Sequence, residues 1–410
     1  MAAELASKIT RDITGPEGES GDAPDFSIIL GGPLFQALRR AHISGDALEM
    51  LRRRIVIITG FVWLPLLVLA AVGGRGFGDA VAVPFLKDVE VHARFLVALP
   101  LLIIAELVVH QRIRTIASEF VVRGLVSPET LEHFRAAVHS AIRLRNSVAA
   151  EIAMVVIIYA FGIPVLWREV AALDVPTWYA DSASGRSGLT PAGMWFAYVS
   201  VPVFQFLLLR WYFRLIVWLR FLWHVSRIPL HVSAMHADRM AGFGFLANTA
   251  FAFVPLAMAH GALVAGVIAN RILYLGKTLA DSRIEVALIV GFVLLLVFGP
   301  LVVFAPQAAA AKRATIRIYG RLSQRYVRDF ERTWLPEGLP ADASPLGSAD
   351  IQSLADLSNS LETVRSTRLV PITRQAVMTV AIATLLPIAP LLLTMISAEE
   401  LVTRLLKLVM

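Results

Sequence analysis

A chain of 410 residues that is 57% hydrophobic and only 17% charged carries more apolar surface than a water-soluble fold of its size can bury, which leaves the bilayer as its solvent. Cysteine is absent, which excludes disulfides, thiolate zinc sites, iron–sulfur clusters and cysteine nucleophiles. The net charge of +7 is not gathered into a folded basic domain, so nucleic acid is not an expected partner, and the excess is first a topology signal.

Residues 1–25 are polar and mixed in charge, and the N-terminal segment continues to 54, ending in Arg52-Arg53-Arg54. Seven apolar stretches follow, at 55–73, 94–111, 147–167, 194–217, 243–269, 285–306 and 375–396. About twenty helical residues rising about 1.5 Å each cross the hydrocarbon, so each stretch is long enough to span it. The expected fold is all-α, a polytopic integral membrane helix bundle of about seven transmembrane helices, with the first span acting as the insertion signal. Every span carries proline: Pro65, Pro100, Pro164, Pro202, Pro255, Pro300, and the pair Pro387 and Pro390. A proline costs about 3 kcal/mol inside an ordinary helix, and in a bilayer it survives where neighbours satisfy the freed carbonyl. Bent helices are therefore expected.

Arginine and lysine set the orientation. Segment 111–146 carries Arg112, Arg114, Arg123, Arg135, Arg143 and Arg145, and segment 307–374 carries ten basic residues from Lys312 to Arg374. The loops on the other side carry two or three each. Both long segments and the N-terminus are thus expected in the cytoplasm, and the basic helices within 112–146 and 307–370 are expected to be amphipathic. Ser127-Pro128-Glu129 reads as a helix start, and 336–349, rich in Pro, Gly, Ala, Ser and Asp, reads as a loop. Seven crossings put the C-terminus outside, with 397–410 as an interfacial helix; a re-entrant seventh span puts it inside.

Spans 1–3 and 5–7 share one order of elements, with Pro65, Pro100 and Pro164 matching Pro255, Pro300 and Pro387. The layout fits a 3+1+3 plan of parallel repeats: 55–167, a central linker helix at 194–225, and 241–396.

Ionisable groups inside hydrocarbon are costly and are the first functional candidates. Glu106 lies in span 2 with His110 one turn further on the same face, and His260 lies near the middle of span 5. Asn248, Gln205, Tyr159 and Tyr198 are further intramembrane polar groups of the kind that join helices. Arg210, Arg214, Arg220 and Arg227, interleaved with Trp211, Trp218 and Trp223, sit at the end of span 4 with irregular spacing and read as an interface belt rather than a voltage sensor.

The most distinctive string joins spans 4 and 5: His231, then His236-Ala237-Asp238-Arg239-Met240-Ala241-Gly242-Phe243-Gly244-Phe245-Leu246. Its histidine and aspartate spacing is not that of a zinc site, so no metal is expected; Asp238 and Arg239 are expected to tie the loop to neighbouring helix ends. The string resembles an element of a family of bacterial integral membrane proteins with no assigned activity, whose members carry a sequence similar to H-P-D-R-A-G-G-L-G-F-L between two transmembrane helices. His236, Asp238, Arg239, Gly242, Gly244, Phe245 and Leu246 match it, whereas Ala237, Met240, Ala241 and Phe243 depart, with loss of the proline. The resemblance implies kinship and a bacterial inner membrane, not an activity.

Two functions compete. A channel or secondary transporter for an ion or small solute, with proton linkage as one form of it, predicts a polar cavity lined by Glu106 and His260. A non-transporting scaffold or sensor predicts a solid core with cytoplasmic helices that bind a partner or anionic lipid. No nucleophile–base pair, nucleotide loop or cofactor motif is legible, so an enzyme is not expected. The bilayer itself is the expected surrounding, and a homo-oligomer is compatible with everything above.

Overall fold

The computed structural model describes residues 27–29, 31, 51–78, 80–162, 164, 177–181, 188–335 and 349–395. Five helices among them are long and apolar enough to cross a membrane: α1 (Leu51–Val72), α2 (Val89–Val122), α5 (Pro191–Val225), α6 (Val254–Leu275) and α7 (Leu279–Trp334). A pair bent by 43°, α3 (Pro128–Arg145) and α4 (Val148–Gly162), makes a sixth when counted as one span. Two further helices, α8 (Ala349–Ser366) and α9 (Arg374–Leu385), complete the described chain. The protein is therefore a helical membrane protein with five to six membrane-length helices. A two-residue β-ribbon pairs Ala180 with Leu189 and Asp181 with Gly188.

The prolines act in different ways. Pro65 lies inside α1. In α2 and α5 the turn before the proline is widened into π-helix, at Ala93–Ala98 ahead of Pro100 and at Phe196–Ser200 ahead of Pro202. A wider turn draws the preceding carbonyl away from the proline ring, so the helix continues past it. The Tyr198 carbonyl, four residues before Pro202, also accepts a hydrogen bond from Tyr159 Oη at 3.1 Å. In α7 the adjustment is the opposite, a 3₁₀ stretch at Gly299–Phe304 that holds Pro300 in its first turn.

Pro255 corrects an expectation. It stands in the first turn of α6, which begins at Val254 and not near 243. Residues 244–248 form a 3₁₀ turn and Thr249–Ala252 a single helical turn. A first-turn N–H has no helical partner, so proline there starts the helix instead of breaking it. Asn248 consequently lies exposed at the end of the 3₁₀ turn, outside the membrane-length helix. The seventh apolar stretch is likewise divided, α9 giving way before Pro387 to a 3₁₀ segment at Ala389–Met395. Residues 397–410 and most of 1–54 lie outside the described residues.

Helix α6 lies against α2 and α9, and its small residues let both come close. A Cβ at Gly261 would stand 1.9 Å from the Thr384 carbonyl oxygen of α9, and one at Gly266 would stand 2.9 Å from Glu90 Cα of α2. Helix α5 is tied to α2 by Trp211 Nε1 donating to the Leu102 carbonyl at 2.9 Å, and to α1 by Ser200 Oγ donating to the Val62 carbonyl at 2.7 Å. At the arginine-rich side, aromatic pairs close the bundle: Phe120 with Phe245, Phe134 with Phe221, and Phe243 with Phe304. Beyond them the polar end of α7 runs antiparallel contacts with α8, where Tyr326 Oη donates to the Asp350 carbonyl at 3.0 Å and Lys312 Nζ donates to the Arg365 and Thr367 carbonyls.

Candidate functional site

Glu106 is the centre of a buried charge cluster. Its carboxylate receives Arg54 Nη2 at 2.5 Å on one oxygen and Arg214 Nη1 at 2.8 Å on the other, with Arg210 Nη1 at 3.8 Å. Arg210 also reaches Glu151 at 3.7 Å and donates to the Gly31 carbonyl at 3.3 Å. Arg145 donates to the Ser27 carbonyl and to Asn146 Oδ1. Three arginines thus converge with two carboxylates, a formal excess of one positive charge among the described residues. Arg54 is 1% exposed, and its Nε and Nη1 have no hydrogen-bond partner among the described residues. Arg214 lies over the Trp211 ring, 5.0 Å from its centroid, where the ring face attracts the cation.

Local structure explains how such a cluster forms. Arg210 and Arg214 are one turn apart on α5, so they share a face. Helix α2 presents Glu106 and, one turn on, His110, whose Nδ1 lies 2.8 Å from Ser27 Oγ. The expected neighbours on one face are therefore both buried, but they meet different partners. Placing Arg210 and Arg214 in an exposed interface belt was an error of environment: they are 5% and 3% exposed, while Arg220 and Arg227 are exposed and Arg227 stacks on Trp223. Arg54, Glu151 and Arg145 were not legible as members. The i,i+4 pair on α5 was the available signal.

His260 belongs to a separate, neutral site. Its Nδ1 lies 2.7 Å from the Leu256 carbonyl, which can only accept, so Nδ1 carries the proton and Nε2 accepts from Tyr212 Oη at 2.9 Å. Both ring nitrogens are satisfied and the side chain is 3% exposed. Glu106 and His260 do not meet, and neither lines the apolar groove described below or the two surface depressions at Arg368–Met378 and Ser323–Arg328.

The loop into α6 is organised by Asp238. One carboxylate oxygen accepts from the Met240 and Gly242 N–H groups at 2.7 and 3.2 Å, and the other from Gly244 at 2.8 Å. Arg239, Ala241 and Gly242 all have positive φ, at 52°, 58° and 93°, so the chain coils left-handed around the carboxylate. At Gly244 a Cβ would stand 2.9 Å from Asp238 Oδ2, which requires glycine there. Burial pushes the Asp238 pKa up, but the three N–H donors and nearby His236 outweigh it and hold the carboxyl below its ordinary value. His236 Nδ1 is 3.1 Å from Asp238 Oδ1, whereas His231 anchors through its backbone, donating to the Leu125 carbonyl at 2.8 Å. Among the described residues no three metal-binding side chains converge. The Arg239 carbonyl accepts from the Arg368 N–H at 2.8 Å, and the Ala234 carbonyl from Thr367 Oγ1 at 2.9 Å.

Comparison with known proteins finds no matching family model, no matching curated protein and no matching solved structure.

Proposed function

We propose that this protein is a non-transporting membrane scaffold that presents the polar end of α7 to a soluble partner with an acidic surface. One observation carries the reading: Arg313, Arg317, Arg321, Arg325, Arg328 and Arg332 are all exposed along that end, and among the described residues Arg332 alone of the six makes an ion pair, with Asp329 at 3.9 Å. Steps of three and four residues keep these arginines on one slowly turning stripe. At about 1.5 Å per residue the stripe extends some 40 Å beyond Phe304, too far for most of it to meet headgroups of the membrane that holds α7 upright. Ile318 and Leu322, exposed beside the arginines, supply apolar contact for such a partner.

In this reading the stripe is cytoplasmic, as is the N-terminus, by the distribution of basic residues. The membrane is a bacterial inner membrane, by the His236–Leu246 resemblance. The seventh crossing is α9 with its 3₁₀ continuation, and the halves 55–167 and 241–396 are the two copies of the 3+1+3 plan. Support for the repeat is that α2 and α7 both continue out of the apolar layer into charged helix, each followed by a second polar helix and a broken apolar one.

The test is site-specific photo-crosslinking at Leu322 in native membranes. Adducts to a soluble protein, lost at high salt and lost in Arg317→Glu/Arg321→Glu/Arg325→Glu, support the scaffold. Adducts to lipid alone overturn it.

A second reading, a conduit for an ion or small solute, draws on the π and 3₁₀ distortions of α2, α5 and α7 and on the Tyr212–His260 pair. Ion and proton flux in proteoliposomes, lowered by His260→Ala at an unchanged unfolding temperature, would establish it in place of the scaffold.

A further inference from the structure

An apolar groove of about 480 Å³ opens laterally between α1, α4 and α5. Its volume lies within the roughly 300–1,000 Å³ typical of small-ligand sites. Ile57, Ile58 and Phe61 line it from α1, Val155 and Tyr159 from α4, and Val203 and Leu207 from α5. Tyr159 brings the polar atom of its side chain to the Tyr198 carbonyl, so that hydroxyl is engaged with protein. Phe61, Val155 and Tyr159 are half exposed.

The same end of the groove is charged on all three helices. Arg54 precedes Ile57 by three residues, Glu151 precedes Val155 by four, and Arg210 follows Leu207 by three. Helices α1 and α4 run away from the arginine-rich side and α5 runs toward it, so each step leads in the same direction by about one turn along the lining face. The three side chains belong to one cluster, joined through Glu106 and the Arg210–Glu151 contact. That cluster holds three arginines to two carboxylates, and Arg54 Nε and Nη1 are buried without a hydrogen-bond partner among the described residues. A positive charge in excess among the described residues, beside buried N–H groups of Arg54 that lack a partner there, calls for an anion carried on an apolar chain at the end of this hydrocarbon-walled groove.

We propose that the groove is a binding site for one anionic phospholipid, with an acyl chain between α1, α4 and α5 and its phosphate against Arg54 and Arg210. The free N–H groups of Arg54 form a planar fork suited to phosphate oxygens. The apolar walls give the chain a place that a free anion does not need. The site is independent of the arginine stripe on α7 and stands whether or not that stripe binds a partner.

Native mass spectrometry of the full chain in non-ionic detergent tests it, with phosphatidylglycerol, phosphatidylcholine of the same chains, and inorganic phosphate added in turn. Phosphatidylglycerol should be retained about five- to tenfold better than phosphatidylcholine, the preference that one or two engaged arginines supply. Arg54→Gln should lower phosphatidylglycerol to the phosphatidylcholine level. Val203→Trp, which fills the groove away from the ion pairs, should reduce retention of both lipids, with thermal stability reporting that each variant is folded. Equal retention of the two lipids overturns the proposal, as does unchanged binding in Val203→Trp. Protection by inorganic phosphate equal to that by phosphatidylglycerol also overturns it, since the site would then be one for a free anion.

Discussion

At the scale of single residues, Glu106 has the largest consequence. A carboxylate at membrane depth is costly alone, yet here its two oxygens are taken by Arg54 and Arg214. Removing the charge while keeping the shape leaves three neighbouring arginines repelling one another. Glu106→Gln should destabilise the bundle by about 3–5 kcal/mol, the cost of breaking a buried pair from one side. Thermal unfolding in detergent checks this, and Glu106→Gln unfolding at the wild-type temperature would show that the arginines find other anions. The position of Glu106 as an intramembrane group was legible from its isolation in an apolar stretch. Its partners were not, because Arg54 and Arg214 approach it from two other helices, and periodicity along one helix says nothing about what faces it.

At the scale of elements, the length and apolarity of α1, α2, α5 and α7 are directly visible in the chain, because hydrocarbon demands unbroken runs of such residues. The ends of α6 and α9 are not. Residues 243–253 are as apolar as a span, but the Asp238-centred coil fixes their backbone, and Pro255 then starts the helix. Proline by itself does not reveal whether it begins, bends or follows a helix; the preceding turn decides, as the π segments before Pro100 and Pro202 illustrate. Helix contact is similarly hidden until the partner is known. Gly261 and Gly291 look alike in sequence, yet Gly261 touches the α9 backbone and Gly291 has nothing within 4 Å. Gly261→Ala should therefore cost about 1–3 kcal/mol through overpacking and loosen α9. Gly291→Ala should leave the unfolding temperature within error of wild type; equal effects of the two substitutions would dissociate α6–α9 contact from stability.

At the scale of the whole molecule, one short loop holds together the arginine-rich ends of several helices. Backbone from 228 to 239 joins the 125 turn through His231, α7 through Gln307 donating to the Ile228 carbonyl, and the 364–368 connection through Arg239 and Ala234. These links flank the coil around Asp238, and the matched residues of the His236–Leu246 string are understandable as backbone geometry. Asp238 supplies the centre, and Gly242 and Gly244 the room. Because folding lowers the Asp238 pKa, its contribution is present above the ordinary carboxyl value of 3.8 and is lost as pH falls through the lower folded-state value. Hydrogen exchange should therefore accelerate at Met240, Gly242 and Gly244, and then at His231 and Arg368, as the solution is acidified below that ordinary value. Asp238→Asn removes the charge but retains one acceptor oxygen, so it should show the faster exchange already at neutral pH and respond less to acid. Uniform protection of these five amides in Asp238→Asn would mean that the loop is held by its outward links alone. Acceleration confined to the Met240–Gly244 turn would mean that the carboxylate orders its own loop without governing the helices it joins.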